Sequence, residues 1–385
     1  MAVTDAANPA TSPSTAPIGL FLMINTFETG GSERQCALLA QNANAAKFDV
    51  HVGCVNPRGP LVGQFKEFAQ FPLGGSLFGW RSLRTRLALA RHLRQNHVQV
   101  AHAFDFYTNL TLIPAARLAR VPVVIGSHRQ LGDLLTPAQF RAQATTFRWC
   151  DAVVCNSQAG ADRLASAGIA HKKLAVIGNA MPSAVFESVL PALPRAANKP
   201  RVTMVARMNA HYKNHAGFLR IAAQVHKLMP DVEFLLVGDG PLRAEIEQQA
   251  AALGLGEHIL FLGDRRDIPA IFASSDISVL TSDSEGLSNV ILEAMAAGVP
   301  VVAYAVGGNP ELVNDQRGAL IPAGNEAQFA NAICRLLSDA NLRSEQGRNA
   351  RRFGEQNFSL DRVCRQYEAL YEDLLNRKDR RRPIA

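Results

Sequence analysis

Six cysteines are scattered through 385 residues, and no two of them form a C-x-x-C pair or a zinc-type spacing. Cys36, Cys54, Cys150, Cys155, Cys334 and Cys364 therefore read as reduced, mostly buried thiols of a cytosolic protein. No apolar run approaches the roughly 20 residues of a membrane span. The opening MAVTDAANPATSPSTAP has neither a basic start nor an apolar core, so residues 1–17 read as a flexible tail and not as a signal peptide. The fingerprint G-x-G-x-x-G is missing, which argues against a dinucleotide cofactor. No nucleic-acid-binding motif is present.

What remains is a chain with 48% hydrophobic and 19% charged residues, long enough for two globular domains with sizeable cores. Its formal charge of +7 and pI near 9.3 favour anionic partners. Apolar runs alternate with helical segments along the chain. Strands are expected over 18–25, 49–55, 98–103, 121–126, 152–155 and 174–177. Helices are expected over 32–45, 82–95, 107–119, 137–149 and 158–166. Strict alternation implies a parallel sheet covered on both faces. From Met181 to Pro200 the pattern breaks at Pro182, Pro191, Pro194 and Pro200, which marks a linker over 182–199 between domains 18–181 and 200–355. The second half restarts with strands over 202–206, 233–237 and 259–262 and helices over 214–228 and 242–251. Helices close the chain over 325–338 and 360–375, before the charged tail RKDRRRP.

The most informative stretch is DISVLTSDSEGLSNVILEAMAAGVPVVAYAVGGNPELV, Asp276 to Val313. It reads as strand, loop, helix, strand. Ser288 and Asn289 are capping residue types at the helix start, and Gly298 with Pro300 ends it. Two carboxylates, Glu285 and Glu293, are separated by seven residues. Glu293 lies on a helix with almost no other polar residue, so it reads as facing a cleft and binding hydroxyls; a solvated surface carboxylate is the bland alternative. The backbone N–H groups of Gly286, Leu287, Ser288 and Asn289 stand at the positive end of the helix dipole and suit a phosphate.

Elsewhere, Gly30-Gly31 lies between a strand and a helix, where backbone approaches an anion closely or merely turns. Arg207 follows a strand and Lys213 precedes a helix, a placement suited to a diphosphate. His102, and His128 with Arg129, end strands. Arg81, Arg84, Arg86, Arg91 and Arg94 share one helix just after Phe78 and Trp80. That helix reads either as a solvated face or as a contact with an anionic membrane.

The segment SDSEGLSNVILEAMAAGVPVVA…VGGNPELV resembles the E-x7-E region of retaining glycosyltransferases of the GT-B, family 4 type. The resemblance runs over about residues 18–375. It implies two Rossmann-like doubly wound α/β domains facing a cleft, with residues 356–385 forming a crossover helix and basic tail. It further implies transfer of a hexosyl-type group from a UDP- or GDP-sugar, with retention, to a glycan or lipid-linked acceptor in envelope polysaccharide or glycolipid synthesis. No other cofactor and, because D-x-D is absent, no metal are expected. In such enzymes Arg207 and Lys213 bind the pyrophosphate, Glu293 the ribose and Glu285 the donor hexose. His128 contacts the donor sugar. Gly30, Gly31, Gly238, Arg265, Gly307 and Gly308 line the donor pocket, and Asn179 is architectural. The expected location is cytoplasmic, in part on the inner membrane face. A catalytically silent nucleotide-sugar binder, a GT-B epimerase and a phosphorylase are the alternatives.

Overall fold

A computed structural model describes residues 16–194 and 199–380. The tail over 1–15, part of the linker and the end of the basic tail lie outside the described residues. The first domain alternates β1 (Ile18–Ile24), α1 (Gly31–Asn42), β2 (Phe48–Cys54), β3 (Ala69–Gln70), α2 (Trp80–Gln95), β4 (Val100–Ala103) and α3 (Phe106–Ala119). It continues with β5 (Val123–His128), α4 (Pro137–Phe147), β6 (Ala152–Cys155), α5 (Gln158–Ser166) and β7 (Leu174–Val176). The second comprises β8 (Arg201–Val205), α6 (His215–Leu228), β9 (Glu233–Val237), α7 (Arg243–Ala252), β10 (Ile259–Gly263), α8 (Ile268–Ala273) and β11 (Ile277–Leu280). Then come α9 (Asn289–Ala296), β12 (Val301–Tyr304), α10 (Asn309–Leu312), β13 (Gly318–Ile321), α11 (Glu326–Ser338), α12 (Ala340–Phe358) and α13 (Leu360–Asp379).

Every sheet pairing between named strands is parallel, in the orders β3-β2-β1-β4-β5-β6-β7 and β10-β9-β8-β11-β12-β13. The chain reverses direction across each sheet at β1/β4 and at β8/β11. Loops leaving those strands open a crevice at their carboxyl ends, the usual ligand position in such sheets. Both faces of each sheet are covered, so the central strands are buried on both sides and read as continuous apolar runs.

β3, α8, α10 and β13 have no counterpart in the sequence reading, and two further details depart from it. Strand β5 continues through Ser127 and His128, which pair with Val154 and Cys155 of β6. Residues 339–359, to which the sequence reading assigns nothing, form α12. At Ser359 the chain crosses back beside Met181, where the Met181 N–H donates to Phe358 O at 2.8 Å and the Leu360 N–H to Met181 O at 3.0 Å. Helix α13 then buries Val363, Cys364, Tyr367, Tyr371 and Leu374 against the first domain's sheet. No described helix is long and apolar enough to cross a membrane.

Candidate active site in the interdomain cleft

The two crevices face one another across a cavity of about 410 Å3. On the second domain's side, Arg207 follows β8 and Lys213 ends a short 3-10 turn, His211–Lys213. Asn214, the residue after Lys213, adopts φ 54°. That left-handed geometry is one Asn tolerates better than most residues. It also caps α6, its side chain accepting from the Gly217 N–H at 2.9 Å. The turn is tied to the loop after β11. Thr281 Oγ1 donates to Asn214 O at 3.0 Å, and the Asp283 N–H donates to Tyr212 O at 2.8 Å. These bonds hold Lys213 Nζ 2.7 Å from Glu285 Oε1, with the carboxylate side chain only 11% exposed.

Ser288 caps α9 as its residue type predicts, accepting from the Ile291 N–H. Ile291, Leu292, Ala294, Met295 and Ala296 turn into the core, which leaves Glu293 to face the cavity. Arg34, from α1 across the cleft, donates to its Oε1 at 2.9 Å. Burial raises the Glu293 pKa, and the Arg34 charge and hydrogen bond oppose that rise. Gly286, Leu287, Ser288 and Asn289 line the cavity with Glu285, and Gly238 and Arg265 lie along its rim. Arg265 forms a fork–fork pair with Asp267, at 2.8 and 2.6 Å.

On the first domain's side, Gly30 and Gly31 precede α1. Gly30 has φ −69°, open to any residue, so its backbone conformation does not require glycine. An added Cβ would stand 2.3 Å from Glu33 Oε2 at Gly30, and 3.1 Å from Asn289 Nδ2 at Gly31. Thr29 accepts from Arg207, a second contact across the cleft. A third runs through Asn179, which accepts from Arg129 at 2.6 Å and donates to Leu287 O at 3.0 Å and Asn289 Oδ1 at 2.6 Å.

Arg207, Lys213, Glu285, Glu293, Gly30, Gly31, Gly238 and Arg265 thus converge on one cavity, together with the 286–289 backbone. Three expected residues do not line it. His128 is fully buried, its ring against Phe140 and Phe147, and burial lowers its pKa to about 4. The cause is the longer β5, which keeps His128 inside the sheet; Arg129 is the first residue after it and reaches the cavity. Gly307 and Gly308 pack behind the Glu285-Gly286 backbone: an added Cβ at Gly307 would lie 1.8 Å from Glu285 O. At φ 52°, Gly307 holds that loop from behind. His102 is a core residue as well, bonded to Tyr371 Oη at 2.7 Å and Ser127 Oγ at 2.8 Å. Arg34 and the bridging role of Asn179 escape sequence reasoning. The available signal for Arg34 was its place four residues after Gly30, at the helix start beside the cleft.

Comparison with known proteins bears on the whole molecule. Residues 29–184 match Glycosyltransferase Family 4, and residues 199–339 match Glycosyl transferases group 1. N-acetyl-alpha-D-glucosaminyl L-malate synthase of Bacillus anthracis is 35% identical over 160 residues, 41% of this chain and 41% of the relative. UDP-Gal:alpha-D-GlcNAc-diphosphoundecaprenol alpha-1,3-galactosyltransferase of Escherichia coli is 27% identical over 86% of this chain and 91% of the relative. The chain thus spans under half the length of the first relative and most of the second. The crystal structure of Anabaena Alr3699/HepE in complex with UDP shares the fold, with TM-score 0.80 and 24% identity over 92% of this chain and 100% of that one. With both halves matched and two doubly wound sheets facing a common cleft, the chain belongs to the GT-B glycosyltransferases of the group 1 and family 4 type.

Proposed function

We propose that the chain transfers a hexosyl group from a UDP- or GDP-sugar to a hydroxyl of a glycan or lipid-linked saccharide, with retention at the anomeric carbon and without a metal clamp. The observation that carries this reading is the pairing of Lys213 with Glu285 at 2.7 Å, in a cavity also faced by Arg207, Glu293 and the start of α9. Without a ligand the two side chains neutralise one another. A diphosphate at the same place recruits Lys213 and Arg207, which frees Glu285 to accept from a sugar hydroxyl. Both cations and the α9 dipole then stabilise the charge that develops on the departing phosphate oxygen. Glu293 accepts from ribose hydroxyls once Arg34 moves aside. Closure of the domains over the donor excludes water and limits hydrolysis. A lipid-linked acceptor is supported by the diphosphoundecaprenol in the name of the Escherichia coli relative.

A docking surface for an anionic membrane belongs to the same proposal. Phe78 is 78% and Trp80 69% exposed, and Leu83 and Leu87 continue the apolar stripe along α2. Arg81, Arg84 and Arg91 are exposed along the same helix. Arg86, by contrast, turns inward to Leu77 O, Ser82 and Leu110 O, and Arg94 donates to Leu118 O. Apolar side chains edged by arginines suit the interface of an anionic bilayer.

The test is incubation of the protein with UDP-glucose, UDP-galactose or GDP-mannose and an alkyl glycoside as acceptor, with the configuration of the glycoside product followed by NMR. Nucleotide release with retained configuration at the transferred sugar is expected. An isomerised sugar without nucleotide release, or inverted configuration, contradicts the reading.

A further inference from the structure

A second cavity of about 430 Å3 opens off the first at the ends of β1, β4 and β5, and the two share Ser32, Arg129, Gln130 and Leu134 as a common wall. Resting on the function proposed above, we propose that this cavity selects the acceptor by charge. It takes an uncharged or amine-bearing saccharide unit and disfavours one carrying a carboxylate or phosphate at the reacting residue.

Two carboxylates, Asp105 and Glu33, and the amide of Gln143 stand in the polar lining. Asp105 accepts from the Asn25 N–H at 2.7 Å and from the Thr108 N–H at 3.0 Å, where it caps α3. Glu33 takes one bond from Thr26 Oγ1 at 3.1 Å, while its other oxygen folds against Gly30. Gln143 is 2% exposed, and its amide oxygen has no partner. A buried amide oxygen left unpaired is costly, and only a donor satisfies it. Ligand hydroxyl and ammonium groups are such donors. Phosphate and carboxylate oxygens are not.

Charge points the same way. Burial, reinforced by Glu33, pushes Asp105 up to about 6, so an added anion would worsen an already unfavourable field. The cation at the shared wall, Arg129, spends two donors on neutral partners, Tyr367 Oη at 3.2 Å and Asn179 Oδ1 at 2.6 Å, and stands against the two carboxylates Glu33 and Asp105 of the same lining. Phe106 and the half-exposed Tyr107 add ring faces for the apolar C–H surface of a pyranose. The common wall places a hydroxyl bound here next to the cavity that holds the donor sugar.

The full chain is first titrated with UDP. The UDP-saturated protein is then titrated with methyl β-D-glucopyranoside, methyl β-D-glucosaminide and methyl β-D-glucuronide, with binding followed by saturation-transfer NMR. The first two should bind, and the glucuronide should be weaker by about tenfold or more. Glu33→Gln, isosteric and at a helix start, should narrow that gap to about threefold or less. Gln143→Leu should weaken the uncharged glycoside by several-fold. A glucuronide that binds as well as the glucoside overturns the inference, as does undiminished discrimination in Glu33→Gln. So does a protein that binds UDP and none of the three glycosides. Failure to bind UDP contradicts the donor reading instead, and shows before any glycoside is added.

Discussion

The two walls of the cleft are built from the same strand–loop–helix units, yet they present different chemistry. The second domain lines the cavity with Arg207, Lys213, Glu285, Glu293 and Arg265. The first contributes Gly30, Gly31, Asn179 and Asn156, with Arg34 and Arg129 as its cations, and keeps His102 and His128 fully buried. Charge that must meet a diphosphate has to stand at the cavity surface. Two imidazoles that only join sheet and helix are better neutral and dry. On the function proposed above, the difference separates residues that act on a ligand from residues that hold the wall.

The sharpest way to break that contrast is to remove the cations of the second wall. Lys213→Ala and Arg207→Ala should each slow sugar transfer by about 10²-fold or more, as loss of transition-state charge stabilisation does elsewhere. A rate assay at saturating donor checks this, with the main loss expected in kcat. Glu293→Gln should weaken donor binding by about tenfold, measured by titration calorimetry, because an NH2 that cannot accept replaces one carboxylate oxygen and the charge is lost. Arg34→Ala should change donor affinity less, because in the proposed function Arg34 moves aside from Glu293 when the donor binds.

On the first wall the expected effect is on stability and not on rate. Burial holds the His102 pKa down to about 3. The unfolded chain takes up a proton at that site near pH 6.5, so its contribution to stability is intact above that pH and is lost on acidification toward 3. The slope is about 1.4 kcal/mol per pH unit within that window. His128, lowered to about 4, adds to the slope over a narrower range. His102→Gln should flatten the pH dependence of the urea midpoint between about 6.5 and 4, with donor affinity unchanged. The smallest effect concerns the outer surface. Trp80→Ser with Phe78→Ser should reduce cosedimentation with phosphatidylglycerol vesicles several-fold and leave turnover on a water-soluble acceptor unaltered.

The same contrast explains what was legible in the sequence. Alternating apolar runs reveal the parallel sheets, because strands covered on both faces must be apolar throughout. Glu293 stands out because its helix is otherwise apolar, and Arg207 and Lys213 because they flank a strand end and a helix start. Four features resist such reading. His128 differs from a cleft histidine only in how far β5 extends, and strand ends are the least certain part of any pattern. Gly307 and Gly308 serve the site from behind, through a backbone contact that no local pattern encodes. Helix α12 has mostly polar residues, so its buried stripe of Gln346, Gly347, Ala350 and Gly354 leaves little periodic signal. The cross-cleft contacts of Arg34 and Asn179 join residues 259 and 110 positions apart, which only the assembled fold brings together.

Titration calorimetry of UDP-glucose and UDP-galactose into the wild-type protein and into Glu293→Gln is the most direct test of a donor held between the walls. At least one donor should bind the wild type with micromolar affinity, and the variant should bind it about tenfold more weakly. A wild-type protein that binds neither, or a variant indistinguishable from it, would contradict a nucleotide-sugar lodged on these residues.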